Sequence, residues 1–167
     1  VIAITGTNGK TTTSCLLAHL LAAAGTEVAL AGNVGPPALE VWLERRRAGA
    51  PAAVWVLELS SFQLEFAPSL TPHAATILNL SEDHLDWHPG LVAYRAAKQQ
   101  IFAHAAACVW NRDDPLTAPP PVGSSREDRL MVSFGLGAPS RFGDFGIVWD
   151  GGLPLSLIHI SEPTRPY

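Results

Sequence analysis

The sequence predicts an α/β domain with a mostly parallel sheet flanked by helices, on three observations. Short apolar runs recur along the chain at residues 1–4, 27–31, 53–57, 75–80 and 107–111. Such unbroken runs are what strands buried on both faces look like. The stretches between several of them carry apolar residues at helical spacing, and the runs end in loops rich in glycine, asparagine or acids, where open parallel sheets bind their ligands.

The first run leads into Thr5-Gly6-Thr7-Asn8-Gly9-Lys10-Thr11-Thr12, and then into a segment with Leu16, Leu17, Leu20, Leu21 and Ala24 as an expected inward stripe. Two glycines let the backbone turn tightly and lay its N–H groups against a phosphate, while the positive end of the following helix points to the same place. Lys10 can reach the outer phosphates, and the Thr11 hydroxyl can ligate Mg²⁺. Gly6, Thr7, Asn8, Gly9, Lys10, Thr11 and Thr12 are therefore the candidate cradle for a nucleotide triphosphate, and the fold is expected to be P-loop NTPase-like. The loop departs from the usual P-loop, because only Thr7 and Asn8 separate its glycines and Ile4 stands where a first glycine would fall. A ligand-free glycine turn opening a helix is the plainer alternative.

After a turn at Gly25-Thr26 the second run ends in Gly32-Asn33-Val34-Gly35, and Pro36 and Pro37 open a helix from Ala38 to about Arg47. Leu39, Trp42 and Leu43 are its expected inward stripe, with Glu40, Glu44 and the arginines facing water. Asn33 is either a turn residue or, on the rim where ligands bind, a contact. The third run leads into Glu58-Leu59-Ser60-Ser61-Phe62-Gln63-Leu64. A carboxylate at the end of a buried strand costs several kcal/mol unless a cation or strong donors lie nearby, so Glu58 is expected beside Mg²⁺ held by Thr11 and the phosphates. An edge-strand salt bridge is the alternative for Glu58. Ser60 and Ser61 are ligand contacts or turn hydroxyls.

The fourth run, residues 75–80, precedes Ser81-Glu82-Asp83-His84-Leu85-Asp86-Trp87-His88, a cluster of hard ligands on the same rim or an acidic surface loop. A helix is expected from Leu91 to His104, buried through Leu91, Tyr94, Ala97, Ile101 and Phe102. It carries Lys98. Of eleven basic residues only Lys10 and Lys98 are lysine, the rest arginine, which points to a need for a compact ammonium or a free amine at those two positions. Residues 107–111 then read as a strand, Asn111-Arg112-Asp113-Asp114-Pro115 as a turn into a short helical piece, and residues 130–134 and 145–149 as late strands joined by a glycine-rich connection.

Composition narrows the class of function. With 167 residues, 47% hydrophobic and 16% charged, the chain can bury a substantial core. Its net charge of −4 gives no basic field for nucleic acid, and no apolar run approaches the roughly 20 residues of a membrane helix. Cys15 and Cys108 have no ligand-like spacing, which fits reduced thiols in a cytoplasmic protein. The chain opens on Val1 inside a strand and is expected to be a piece of a longer one.

GTNGKTT, GNVG, LELSSFQLE, NLSEDHLDWH and YRAAK occur in this order and at compatible spacings. A chain carrying them resembles the Mur ligase family of peptidoglycan synthesis and its relative folylpolyglutamate synthase, and the ELSSFQLE stretch resembles the D-glutamate-adding members in particular. The resemblance holds to about Trp149 and implies the central ATPase domain of a three-domain cytoplasmic ligase, monomeric at full length, serving cell wall biogenesis and with it cell shape and division. It implies ATP and Mg²⁺ as cofactors, and UDP-N-acetylmuramoyl-L-alanine and D-glutamate as substrates joined through an acyl phosphate. Residue by residue, it makes Gly6 through Thr12 the phosphate loop and Thr11 and Glu58 ligands of one Mg²⁺. His84 becomes a ligand of a second Mg²⁺, Lys98 a lysine carried as a metal-facing carbamate, and Asn33 and Ser60 contacts to the muramoyl substrate. Lys10, His84 and Lys98 are thereby the candidate catalytic residues, and Asn79 and Asp86 match motif positions. Other Mur ligases, folylpolyglutamate synthase, and a nucleotide-binding module without turnover are the alternatives.

The domain is expected to span residues 1–155. Residues 156–167 leave the family pattern and are expected to be a non-native, disordered tail.

Overall fold

In the computed structural model, which describes residues 1–33, 35–83, 86–121, 129–150 and 152–158, the apolar runs form strands. These are β1 (Ile2–Thr5), β2 (Val28–Gly32), β3 (Val54–Glu58), β4 (Ala74–Ile77), β5 (Ala107–Asn111), β6 (Leu130–Phe134) and β7 (Asp144–Asp150), followed by β8 (Leu153–Ile158). They make one sheet in the order β2-β3-β1-β4-β5-β6-β7-β8, parallel throughout except for the last pair. The helices are α1 (Lys10–Ala23), α2 (Ala38–Arg47), α3 (Ser61–Glu65) and α4 (Leu91–Gln99), with 3₁₀ turns at Gln100–Phe102 and Pro115–Thr117. The expected mostly parallel, helix-flanked architecture is the one found.

Register decides which side chains share a face. Ala3 lies opposite Leu57 and Ala75, and the main core collects on that side: Ala3, Leu64, Ala75, Ile77, Tyr94, Ile101, Phe102 and Cys108. A smaller cluster of Ala29, Ala31 and Val41 continues it under α2 through Trp55 and Leu57. Among the described residues α1 is the one helix on the opposite face, where Thr13 and Leu17 sit over Ile2 and Ile4.

Several local expectations change. Leu16 and Leu20 are each 56% exposed, and α1 instead turns Ser14 inward, with Leu17 and Leu21 half-buried. On α2 the expected stripe is wrong: Leu39, Trp42 and Leu43 are all exposed, and Val41 is the buried position. Arg45 sets that rotation. Its guanidinium donates to the carbonyls of Val28 and Ala50, which holds the Ala38, Val41 and Arg45 side against β2 and leaves Trp42 to take Arg46 over its ring at 5.0 Å.

Strand β4 stops at Ile77 rather than at residue 80, because beyond it the Leu80 N–H leaves the ladder and donates to Asp114 Oδ2 at 2.6 Å. Helix α4 stops at Gln99 rather than at His104, and the tighter 3₁₀ turn that follows buries both Ile101 and Phe102 completely. β8 pairs antiparallel with β7 as far as Ile158 opposite Phe145. Residues 159–167 of the expected tail lie outside the described residues.

Candidate functional site

The carboxyl ends of β1 to β5 form one rim, and the loop after β1 lies at its centre. Gly9 caps α1 with φ 78°, a left-handed conformation that glycine adopts without penalty, and no side chain caps the helix. The first-turn N–H groups of α1 are thus left for an anion. Lys10 opens the helix and folds back so that Nζ donates to the Thr7 carbonyl at 2.9 Å, placing the ammonium over the loop. Thr11 and Thr12 follow in the exposed first turn.

This loop is braced by its neighbour on the rim, residues 78–81. The Thr7 N–H donates to the Asn79 carbonyl at 3.0 Å and the Asn8 N–H to Asn79 Oδ1 at 2.8 Å, while Asn79 Nδ2 returns a bond to the Asn8 carbonyl at 3.0 Å. The Ser81 N–H donates to Thr7 Oγ1 at 3.0 Å. The loop after β5 braces the brace: Asn111 Nδ2 donates to the Leu78 carbonyl at 3.1 Å, and Asp114 accepts from Leu80. The N-x-D-D stretch read from sequence as a turn therefore supports the loop after β1 at one remove.

The loop is approached from both faces of the sheet. On the α1 face, Glu58 lies in register with Ile4 and is 3% exposed. Its Oε1 accepts from Asn33 Nδ2 at 3.1 Å, and among the described residues no cationic side chain pairs with it. A buried carboxylate with an amide donor and no paired cation among the described residues, on the strand next to the one that leads to an uncapped helix N-terminus, fits a divalent ion brought in with a polyphosphate. No group of three or more His, Cys, Asp or Glu converges among the described residues.

On the opposite face Lys98 is 2% exposed, and its Nζ donates to Thr5 Oγ1 at 3.2 Å and to the Gly6 carbonyl at 3.0 Å, 4.7 Å from the centre of the Tyr94 ring. Its pKa is lowered from the usual 10.5 to about 7, chiefly by burial and next by the Lys10 ammonium, with Asp83 acting in the other direction. The Tyr94 hydroxyl lies 3.3 Å from Thr7 Oγ1, so α4 touches the loop after β1 through two side chains.

Of the remaining candidates, Asn33 sits at the end of β2 beside Glu58. Ser60 is the N-cap of α3 in a reciprocal capping box: its hydroxyl accepts from the Gln63 N–H at 3.2 Å, and Gln63 Oε1 accepts from the Ser60 N–H at 2.9 Å. The structure thus gives the Ser60 hydroxyl a turn role. His84 lies outside the described residues.

For two groups the structure departs from the sequence reading: Tyr94 is expected only as a core position, since nothing in its spacing reports where a hydroxyl ends, and His88 only as one of the hard ligands of residues 81–88. His88, 2% exposed, brings Nε2 to 2.9 Å from Ser61 Oγ and Nδ1 to 3.6 Å from Glu65 Oε1, with its ring stacked on Phe62. This Ser-His-acid order is that of a nucleophilic triad, but Ser61 is buried inside the first turn of α3, so its hydroxyl faces no solvent. The trio fastens α3 to the loop before α4.

Comparison with known proteins follows the same lines. A family profile described as the Mur ligase middle domain matches residues 4–143. A relative from Cupriavidus metallidurans, "UDP-N-acetylmuramoylalanine--D-glutamate ligase", is 48% identical over 98% of this chain and 32% of its own length. A Burkholderia mallei protein of the same name is 49% identical over 92% of this chain and 31% of its own length. The chain therefore spans about a third of the length of the curated relatives it matches. Among solved structures, a UDP-N-acetylmuramoyl-L-alanyl-D-glutamate--2,6-diaminopimelate ligase superposes with a TM-score of 0.64 at 26% identity, over 87% of this chain and 33% of that one. The family resemblance drawn from the motifs is the one these proteins carry, and the two curated relatives carry the name of its D-glutamate-adding branch.

Proposed function

The chain belongs to the Mur ligase middle-domain family, and from that premise we propose that it is the ATP-binding part of a ligase that joins D-glutamate to UDP-N-acetylmuramoyl-L-alanine. Residues 1–155 form that domain in this reading. What carries it is the meeting of four features at one loop: an uncapped α1 N-terminus, Lys10, the buried Glu58 from one face and Lys98 from the other.

In this reading Gly6 to Thr12 cradle the triphosphate, and Lys10 leaves its bond to Thr7 for the outer phosphates. Thr11 and Glu58 would hold one Mg²⁺, and His84 together with the carbamate of Lys98 would hold a second. The metal supplies charge neutralisation, letting a carboxylate approach an anionic phosphate. Lys98 suits its part because a pKa near 7 leaves a share of neutral amine at neutral pH, the form that adds CO₂. The muramoyl carboxylate, held near Asn33 and Ser60, attacks the γ-phosphate to give an acyl phosphate and ADP. The amine of D-glutamate then displaces phosphate from the activated carbonyl. The chain alone is proposed to bind Mg–ATP without completing ligation, in the cytoplasm where these substrates are made.

Titration of a fluorescent ATP analogue into the chain with Mg²⁺ tests the reading. Lys10→Ala is expected to weaken binding about tenfold or more, since a charge-assisted contact is lost. A folded wild-type chain that binds no nucleotide overturns the site. Ligation of D-glutamate by the chain alone overturns the view that it lacks turnover.

A further inference from the structure

The loop after β2 is wrapped around a single residue of the neighbouring strand. The Asn33 N–H donates to the Glu58 carbonyl at 2.8 Å, and Asn33 Nδ2 donates to Glu58 Oε1 at 3.1 Å. Gly32, at φ 124°, packs so closely that a Cβ there would lie 2.1 Å from the Glu58 carbonyl oxygen. The Gly32 N–H in turn takes the Pro36 carbonyl at 3.2 Å, closing the loop on itself. Two of these contacts fix the Glu58 backbone carbonyl, and one, from Asn33 Nδ2, reaches the buried carboxylate itself. An ordinary turn asparagine bonds its own backbone; this one reaches across strands to an acid.

We propose that Asn33 is a positioning residue that orients the Glu58 carboxylate for a magnesium ion on the bound nucleotide, which makes the loop after β2 part of the metal site. The inference deepens the reading of the site given above and rests on it. A carboxylate has two oxygens, and Asn33 engages Oε1; a metal taken through the other oxygen leaves the amide bond intact and meets a ligand already fixed in direction. Hydrogen-bonded partners of ligating groups commonly carry about a ten- to hundredfold share of metal affinity. Because Asn33 is exposed while Glu58 is buried, a ligand touching this loop from outside and the metal inside act on the same hydrogen bond. Each then changes the other's affinity by an equal factor.

The test uses Mn²⁺ as the probe, with its affinity for the chain read by electron paramagnetic resonance at saturating ATP analogue. Asn33→Ala is expected to weaken Mn²⁺ binding about tenfold or more. Binding of metal-free nucleotide should stay within about twofold. Asn33→Ser keeps a polar loop residue but falls short of Oε1, and must show the same loss. Since Asn33 acts through Glu58, adding Asn33→Ala to Glu58→Gln should weaken Mn²⁺ no further. Unchanged Mn²⁺ affinity in both Asn33 variants, or penalties that add in full with Glu58→Gln, overturns the proposal while leaving the nucleotide site standing. A wild-type chain that binds the nucleotide but no Mn²⁺ removes the metal reading and this inference together.

Discussion

Lys98 carries its charge where burial makes charge expensive. Desolvation and the Lys10 ammonium together bring its pKa to about 7 from 10.5, against the pull of Asp83. Between those values the unfolded chain binds the proton and the folded chain releases it. Stability therefore rises with pH across that window and loses this gain as pH falls through 7. The midpoint of urea unfolding of the metal-free chain should climb from pH 7 to 8.5, and Lys98→Met should flatten the climb. Cys108 and Tyr94 have raised pKa values and act in the opposite sense, but only above their ordinary values of 9.0 and 10.0. A wild-type profile as flat as that of Lys98→Met would show that the folded chain keeps the proton, and with it that the amine is unavailable to CO₂ near neutrality.

At the scale of elements, the β2–β3 contact has no slack at its ligand end. Gly32 combines φ 124° with a Cβ position 2.1 Å from a backbone oxygen, so Gly32→Ala has to part the strands where Asn33 reaches Glu58. The expected cost is about 2 kcal/mol or more by urea unfolding. A cost under about 0.5 kcal/mol, the range of an ordinary surface change, would mean the loop yields freely. Chain-local features of this kind are what the sequence displays. The strand Ala107–Asn111 falls where its apolar run places it and the helix at Ala38 starts where Pro36 and Pro37 place it, since apolar runs, prolines and glycines act over a few positions. Helix rotation was misread because it is fixed from outside the helix: Arg45 reaches Val28 and Ala50, and the stripe of Leu39, Trp42 and Leu43 turns outward. For the same reason Glu58 and Lys98 were legible as oddities of composition, whereas the Asn79 brace and the Tyr94 hydroxyl depend on strand order, which no local pattern encodes.

Across the whole molecule the two faces of the sheet differ in kind. One buries a continuous core under α3 and α4, with Leu64, Tyr94, Ile101 and Phe102 at 1% exposure or less. The other carries α1 alone among the described helices and, beside it, a groove of about 420 Å³ lined by Ile2, Leu17, Thr76, Leu78, Val109 and Phe134. Parallel sheets ordinarily cover both faces, because a bare face leaves apolar side chains in water. The stability of this chain should then reside on the α4 face, and a matched pair of substitutions measures the asymmetry. Leu64→Ala removes a fully packed side chain and is expected to cost about 2–5 kcal/mol. Leu20→Ala, chemically the same change at a position 56% exposed, should cost within about 0.5 kcal/mol. The loop after β1 runs between these two layers, so its firm side is the one bearing Lys98 and Tyr94 and its yielding side the one bearing α1. Equal costs at Leu20 and Leu64 would show that the α1 face is covered in solution, and that the loop is held as firmly there as it is by α4.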